Sequence, residues 1–450
     1  MCHFDHFQAG RITVKRRFRC TAGLGASIRR SEGLMRRTRT EVDGSIMVVD
    51  SGIPEPADLT VVERKGWGHP DTLADHLAES LSQAYSRHTL REFGAVLHHN
   101  FDKLALLGGA SEVRYGAGRI TSPVRVLVNG RAARTCGGHQ IPVDDLITET
   151  TREFFATRLP ELDGIMRIEL NVTSNPSPGA VVTGTGTPDR SLWFAPRCLD
   201  DLRERRVRLS NDTSLGTGWA PENHLEGFAR GLVDWLSAPE GFAAEHPWCG
   251  SDVKLMGYGV GEDFDLVLCV PQKCGYVSSR SAYAENKERL LAECHRLAAE
   301  SLGDVPARFR INVRDIPDRD ELYLTYTGSS IESGDEGVVG RGNRVTGLIT
   351  PLRPMNIEGA SGKNPVYHVG KLYNLAAQRI ATRLAETTGG YAEVHLISAT
   401  GQRLDRPWRV HVRLAATYPQ PDKVHAVIFQ ALDGFPALTE EILATGLMMS

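Results

Sequence analysis

The sequence predicts an α+β protein in which successive units each pack helices against a mostly antiparallel sheet. Strand-like segments come in pairs joined by tight turns, as in SDVKLMGYGVGEDFDLVLCVP at 251–271, where apolar residues recur at alternate positions. An order of helix then strand pair recurs three times without sequence self-similarity, and 450 residues exceed what one core accommodates. The helices fall too irregularly between the strands for a doubly wound parallel sheet.

The first pass opens with VERKGWGHPDTLADHLAES at 62–80. Gly66 and Gly68 loosen the backbone, Pro70 suits the first helical position, and Leu73, Leu77, Leu81 and Ala84 recur at helical spacing. A loop therefore feeds an amphipathic helix. A short strand-like segment follows at 94–116, then a better strand in RITSPVRVLVNGRAA with the turn pair Asn129-Gly130, a helix at 142–159 and a strand in IMRIELNVTS. The second pass runs from a helix at 223–237 through the strand pair at 251–271 and a long helix at 281–303 to strands in ARFRINVRD and ELYLTYTGS. The third has a helix in HVGKLYNLAAQRIATRLAE and strands in YAEVHLISATG and WRVHVRLAA. These passes give expected units at 47–160, 161–305 and 306–450, interleaved in sequence.

Composition is that of an ordinary globular protein, with 41% hydrophobic and 24% charged residues. No apolar run reaches the length of a membrane span. The eight cysteines include no C-x-x-C pair and no H-E-x-x-H occurs, so reduced thiols in a cytoplasmic enzyme are expected rather than a zinc site. Charge is uneven. Residues 1–46 hold 10 Lys/Arg against 4 Asp/Glu and lack both periodicities, which reads as a disordered basic arm or a non-native start ahead of Met47. With no basic patch elsewhere, no nucleic-acid partner is expected.

Several segments carry too much chemistry for mere connections. In GHPD, His69 stands beside a helix N-terminus as a donor to an anion and Asp71 as a hard oxygen ligand, while Asp71, Asp75 and Glu79 stack four residues apart. The alternative is a solvated acidic face. NDTSLGTGWAP contains Asp212; SDVKLMG places Asp252 and Lys254 two apart; SGDEGVVGRGNR carries Asp335, Glu336, Arg341 and Arg344; EGASGKNPVYHVGK carries Lys363 and Lys371. Glycines let backbone N–H groups approach an anion, lysine and arginine neutralise it, and carboxylates carry the metal of a polyphosphate. A run of about forty glycine-rich residues from 328 has little periodicity and reads as a functional loop or a disordered linker. Neither a Walker A sequence nor a G-x-G-x-x-G after a strand occurs. Residue chemistry alone thus reaches an enzyme acting on a nucleotide or polyphosphate with a metal, in neither a P-loop nor a Rossmann fold.

VERKGWGHPD, HHNFDKLALLGG, NDTSLGTGWAP, DVKLMG and YLTYTGSSIESGDEGVVGRGNRVTGLITPLRPMNIEGASGKNPVYHVGKLYN, in this order, resemble the archaeal-type S-adenosylmethionine synthetases over roughly 58–415. The resemblance implies three pseudo-symmetric α+β units and a homodimer, or a tetramer, with active sites at the subunit interface. It also implies ATP and methionine as substrates, with Mg2+ and K+. Carried over by position, Glu63 and His69 would sit by the ATP, His69 next to the oxygen leaving C5′, and Asp71 would bind magnesium. Asp212 would lie near the methionine amine or the forming sulfonium. Asp252 and Lys254 would hold ATP, Asp335 would bridge nucleoside and methionine, and Arg341 and Lys363 would clamp the triphosphate. Glu336, Asp102 and Glu358 are further candidates for metal ligation. The loop at 174–191 and the segment PQKCGYVSSR at 271–280 depart from the family pattern, which keeps open a paralogue that uses a different thioether amino acid or another nucleotide.

Overall fold

The computed structural model describes residues 35–175, 189–202, 205–416 and 420–447. One plan is used three times. Each time a helix leads into an antiparallel strand pair, a second helix follows, and a further strand lies parallel to the second member of the pair. In the first instance α1 (Pro70–Phe93) precedes the pair Ala105–Leu107 and Arg125–Ala132, and α2 (Val143–Arg158) precedes Arg167–Thr173, which runs parallel to Arg125–Ala132. In the second, α3 (His224–Ser237) precedes Lys254–Val260 and Asp263–Cys269, and α4 (Arg280–Leu302) precedes Ala307–Ile311. In the third, α5 (Val369–Thr388) precedes Ala392–Ile397 and Arg409–Leu414, and α6 (Pro421–Asp433) and α7 (Phe435–Thr445) follow. There the parallel strand comes from the other end of the chain, as Ser45–Ser51.

Each sheet gains another antiparallel strand from a distant segment. Glu336–Val338 joins Ala105–Leu107, Leu59–Lys65 joins Lys254–Val260, and Leu215–Ala220 joins Ala392–Ile397. Boundaries at 160 and 305 therefore do not follow the sheets, because every sheet takes at least one strand from across them. Each sheet buries one face on its helices. The three cores centre on Leu73, Leu77 and Val126; on Leu232, Leu255 and Leu266; and on Tyr373, Ile380 and Val412. Of the apolar spacing read from α1, Leu73, Leu77 and Leu81 are buried.

Three expectations need correction. Residues 36–42 are a strand, not part of a disordered arm, and pair with Ser45–Ser51 through a two-residue turn at Asp43 and Gly44, both at positive φ. Asp-Gly between two strand-like runs, here ending at Val42 and resuming at Ser45, is a strong hairpin signal. Met47 is a buried core residue inside Ser45–Ser51. Asn129-Gly130 is no turn: both lie inside the continuous strand Arg125–Ala132. There a Cβ on Gly130 would sit 2.2 Å from the Asn100 carbonyl oxygen, so glycine admits the crossing segment His99–Asn100. ELYLTYTGS forms only the two-residue strand Leu324–Thr325. α6 and α7 had no sequence expectation.

Residues 1–34 and most of the 174–191 loop lie outside the described residues. The strand at 36–42 separates two truncations. Removing 1–34 should leave the melting temperature near that of the full chain. Removing 1–46 strips the strand from the sheet edge, along with the Arg37–Asp50 pair at 2.6 Å, and should lower it by several degrees. Equal melting temperatures for the two truncated chains in a thermal scan would show that the strand adds nothing.

Candidate functional site

The approach to α1 is tightly built. A Cβ on Gly68 would lie 2.1 Å from Ser251 Oγ and 2.8 Å from the Ser251 carbonyl carbon, so only glycine lets this turn pass the 251–253 segment. His69 is the N-cap, and its Nδ1 accepts the Asp71 amide at 3.2 Å. Burial, reinforced by the Lys65 charge, lowers its pKa to about 4, so the ring is neutral. With Nδ1 accepting, the single ring proton resides on Nε2. His69 therefore offers an N–H donor, and it lines a cleft of about 640 Å³.

Asp252, Lys254 and Asp335 line the same cleft. Asp252 is buried and accepts both the amide and the hydroxyl of Ser330, and that hydroxyl also lies 3.1 Å from Asp335 Oδ2. Burial raises the Asp252 pKa to about 6. Lys254 pairs with Glu63 at 3.2 Å, and Glu63 lies 3.8 Å from Lys65. Lys65 in turn binds Asp71 at 2.8 Å, and the Arg341 Nε stands 3.5 Å from the other Asp71 oxygen. Burial alone would raise the Asp71 pKa, but the Lys65 hydrogen bond and charge outweigh it, so the carboxyl is held below its usual range and ionised. Seven of the candidates, Glu63, His69, Asp71, Asp252, Lys254, Asp335 and Arg341, thus form one connected region.

Lys363 stands in a second cluster. Its ammonium pairs with Glu358 at 2.7 Å and Asp102 at 2.9 Å. Burial opposes this charge, yet the two carboxylates prevail and raise its pKa. Ser214 donates to the other Glu358 oxygen at 3.0 Å. Asp212 is exposed, away from the cleft, and its carboxylate accepts the amide of the next residue, Thr213. Glu336 is engaged by Arg341 at 2.6 Å.

The acidic stripe of α1 is not solvated. Asp71, Asp75 and Glu79 are all buried, because the glycine-rich loop crosses over them. Glu79 holds the fully buried Lys371 ammonium with both oxygens, at 2.8 and 2.7 Å, and accepts the Gly362 amide. Among the cleft-region residues that sequence reasoning missed are Lys65 and Ser330. Lys65 is two residues from Glu63 and so on the same strand face, a spacing that was legible. Ser330 gave no comparable signal, since its link between Asp252 and Asp335 is made only by the tertiary fold.

A family model described as S-adenosylmethionine synthetase matches residues 46–446. The chain is 37% identical over 412 residues to the S-adenosylmethionine synthase of Aeropyrum pernix, covering 88% of this chain and 97% of that protein. It is also 37% identical over 352 residues to a probable S-adenosylmethionine synthase of Aquifex aeolicus, covering 78% and 84%. Among solved structures, an unusual S-adenosylmethionine synthetase from Campylobacter jejuni matches with a TM-score of 0.55 at 15% identity, over 85% of this chain and 88% of that one. That likeness concerns the fold alone.

Proposed function

Because the chain belongs to the S-adenosylmethionine synthetase family, we propose that the cleft at the mouth of α1 is where it joins methionine to the adenosyl group of ATP. The activity is that of a methionine adenosyltransferase, which turns ATP, methionine and water into S-adenosylmethionine, phosphate and pyrophosphate. The observation that carries the assignment of the cleft is the neutral His69 ring with its proton on Nε2, at a helix N-terminus and next to Lys65 and Lys254.

The chemistry asks for this arrangement. Methionine sulfur is a neutral nucleophile, so its attack on C5′ creates a sulfonium cation as the C5′–O bond breaks and tripolyphosphate leaves. His69 Nε2–H donates a hydrogen bond to the departing oxygen, while Lys65, Lys254 and Arg341 hold the growing negative charge. Asp252 and Asp335 face the nucleoside and amino-acid end. Tripolyphosphate, still held by the same cations, is then cleaved by water to pyrophosphate and phosphate.

The reaction of this family calls for metal ions, and two carboxylates, one in each cluster, each suit a cation. Asp71 is ionised, and Asp102 has its pKa lowered to about 2, because Lys363 and Lys103 outweigh the effect of burial, while its Oδ1 is buried without a hydrogen-bond partner. Among the described residues no group of three or more His, Cys, Asp or Glu could hold a metal, which fits magnesium, normally held by one or two carboxylates together with substrate phosphates. Asp71 would hold Mg2+ and Asp102 a second cation, and the bound metal supplies charge neutralisation to the triphosphate. K+ is expected to raise turnover.

A homodimer completes the site in this reading. Lys254 shares a strand face with Met256, Tyr258 and Val260, all three exposed at 40%, 47% and 53%, an apolar patch that continues from the cleft. The Lys363 cluster lies apart from the cleft of its own chain, and a partner supplying Lys363 and Asp212 across that face accounts for both. None of the described helices is long and apolar enough to cross a membrane, and the six described cysteines are free, which supports a cytoplasmic location.

The test is mass spectrometry of the protein incubated with ATP, magnesium and methionine, which should yield S-adenosylmethionine in many turnovers; no product would overturn the reading. In the same assay methionine should be preferred over ethionine. Comparable kcat/KM values for the two would favour a paralogue with a widened thioether pocket.

A further inference from the structure

We propose that Asp75 is a positioning residue, the middle rung of a carboxylate ladder on α1 that fixes the path of the glycine-rich loop and so aims Arg341. The proposal rests on the reading that Arg341 serves the triphosphate.

Carboxylates four residues apart lie on one helix face, about 6 Å from one to the next along the axis. Each meets the loop. Asp71 Oδ1 accepts the Val338 amide at 3.1 Å; Asp75 accepts the Gly340 amide at 2.8 Å and the Gly342 amide at 3.1 Å, one on each oxygen; Glu79 accepts the Gly362 amide at 3.0 Å. The middle rung is held from two sides. Arg344 Nη2 donates to the carbonyl oxygens of the same two glycines, Gly340 at 2.5 Å and Gly342 at 2.7 Å. The backbone on both sides of Arg341 is thus gripped by its amides from one charged group and by its carbonyls from another. Charge-assisted bonds of this kind are the strong ones.

The loop is shaped to reach the ladder. A Cβ on Gly342 would stand 2.1 Å from Asp75 Oδ2, and one on Gly337 would stand 2.0 Å from the Pro70 carbonyl oxygen, so glycine is required where the loop meets the helix. Asp75 is 3% exposed and makes no direct ion pair among the described residues, and burial raises its pKa to about 6. A carboxylate kept there at such a cost contributes through geometry rather than through a salt bridge. Asp75 does not line the cleft that holds His69, so it acts through the loop.

The experiment is a double-mutant cycle of Asp75→Asn and Arg341→Ala, with kcat for S-adenosylmethionine formation as the readout. Asparagine keeps the size of the side chain but replaces one acceptor by a donor, which repels one glycine amide. Asp75→Asn should lower kcat by on the order of 100-fold, the effect of a reacting group displaced by about 1 Å, with the KM for methionine changed little. The double variant should be no slower than Arg341→Ala alone, because the two losses share one cause. Hydrogen exchange should quicken in a peptide spanning 336–346 while the three cores keep their protection. Additive losses, or exchange that quickens throughout the chain, would overturn the ladder and leave the active-site assignment standing. An Arg341→Ala variant as fast as wild type would overturn both.

Discussion

Lys363→Ala should lower kcat for S-adenosylmethionine formation by about 100-fold or more, the scale of removing one preorganised donor from a developing charge. The surroundings of Lys363 add a second expectation. Its ammonium neutralises Asp102 and Glu358 in a nearly dry setting, and breaking a buried ion pair leaves charges uncompensated at a cost of about 3–5 kcal/mol. The alanine variant should therefore melt at a lower temperature as well as turn over slowly. Lys363→Arg separates the two effects: it retains the charge and most of the stability, but a planar guanidinium places that charge differently. The arginine variant should regain the melting temperature and recover kcat only in part. A rise in the KM for ATP with kcat intact, in either variant, would assign Lys363 to ground-state binding instead.

His69→Asn should cut S-adenosylmethionine formation by roughly 100-fold or more while hydrolysis of added tripolyphosphate survives, because hydrolysis involves no C5′ oxygen. The pH profile gives an independent check. The pKa of His69 is lowered to about 4 by burial and then by Lys65, so its neutral form prevails above that value and is lost only as pH falls through it. Between pH 5 and 8 the wild-type kcat should show no inflection that disappears in His69→Asn. An inflection near pH 6.5 that vanishes in the variant would mean that the ring works as an ordinary proton-exchanging acid. Equal loss of both half-reactions would point to a collapsed loop rather than a missing donor.

Local pattern carried much of the fold. α1, α2 and the strands from 254 to 269 are visible because apolar residues recur at helical or alternate spacing wherever one face is buried. The strand at 36–42 escaped since a basic composition outweighed the Asp43-Gly44 hairpin signal, and Asn129-Gly130 misled because glycine there serves a close crossing rather than a turn. The site was legible as a set of residue types and not as an arrangement. GHPD, DVKLMG and GDEG announce charge and imidazole chemistry, but that Ser330 joins Asp252 to Asp335, or that Asp75 grips Gly340 and Gly342, depends on contacts across more than seventy positions. A solvated acidic stripe stayed open as an alternative for the same reason: the loop that covers it comes from the far side of the sequence.

The sheet that combines Ser45–Ser51 with Arg409–Leu414 has a consequence for how the chain comes off the ribosome. Asp50 and His411 meet across 361 positions, so at 5–20 residues per second the early strand waits roughly 20 to 70 seconds for its neighbour. Until then the hairpin at 36–51 has an open edge and an uncovered apolar side, Met47 and Val49 among it, in the form that recruits other nascent chains. The Asp252 and Lys254 segment, by contrast, finds Glu63 and Lys65 within about two hundred residues. The part of the proposed active site around His69 can therefore take shape while the platform beneath α5 is still being made, and premature termination before residue 409 should leave a soluble fraction that is small and bound to chaperones.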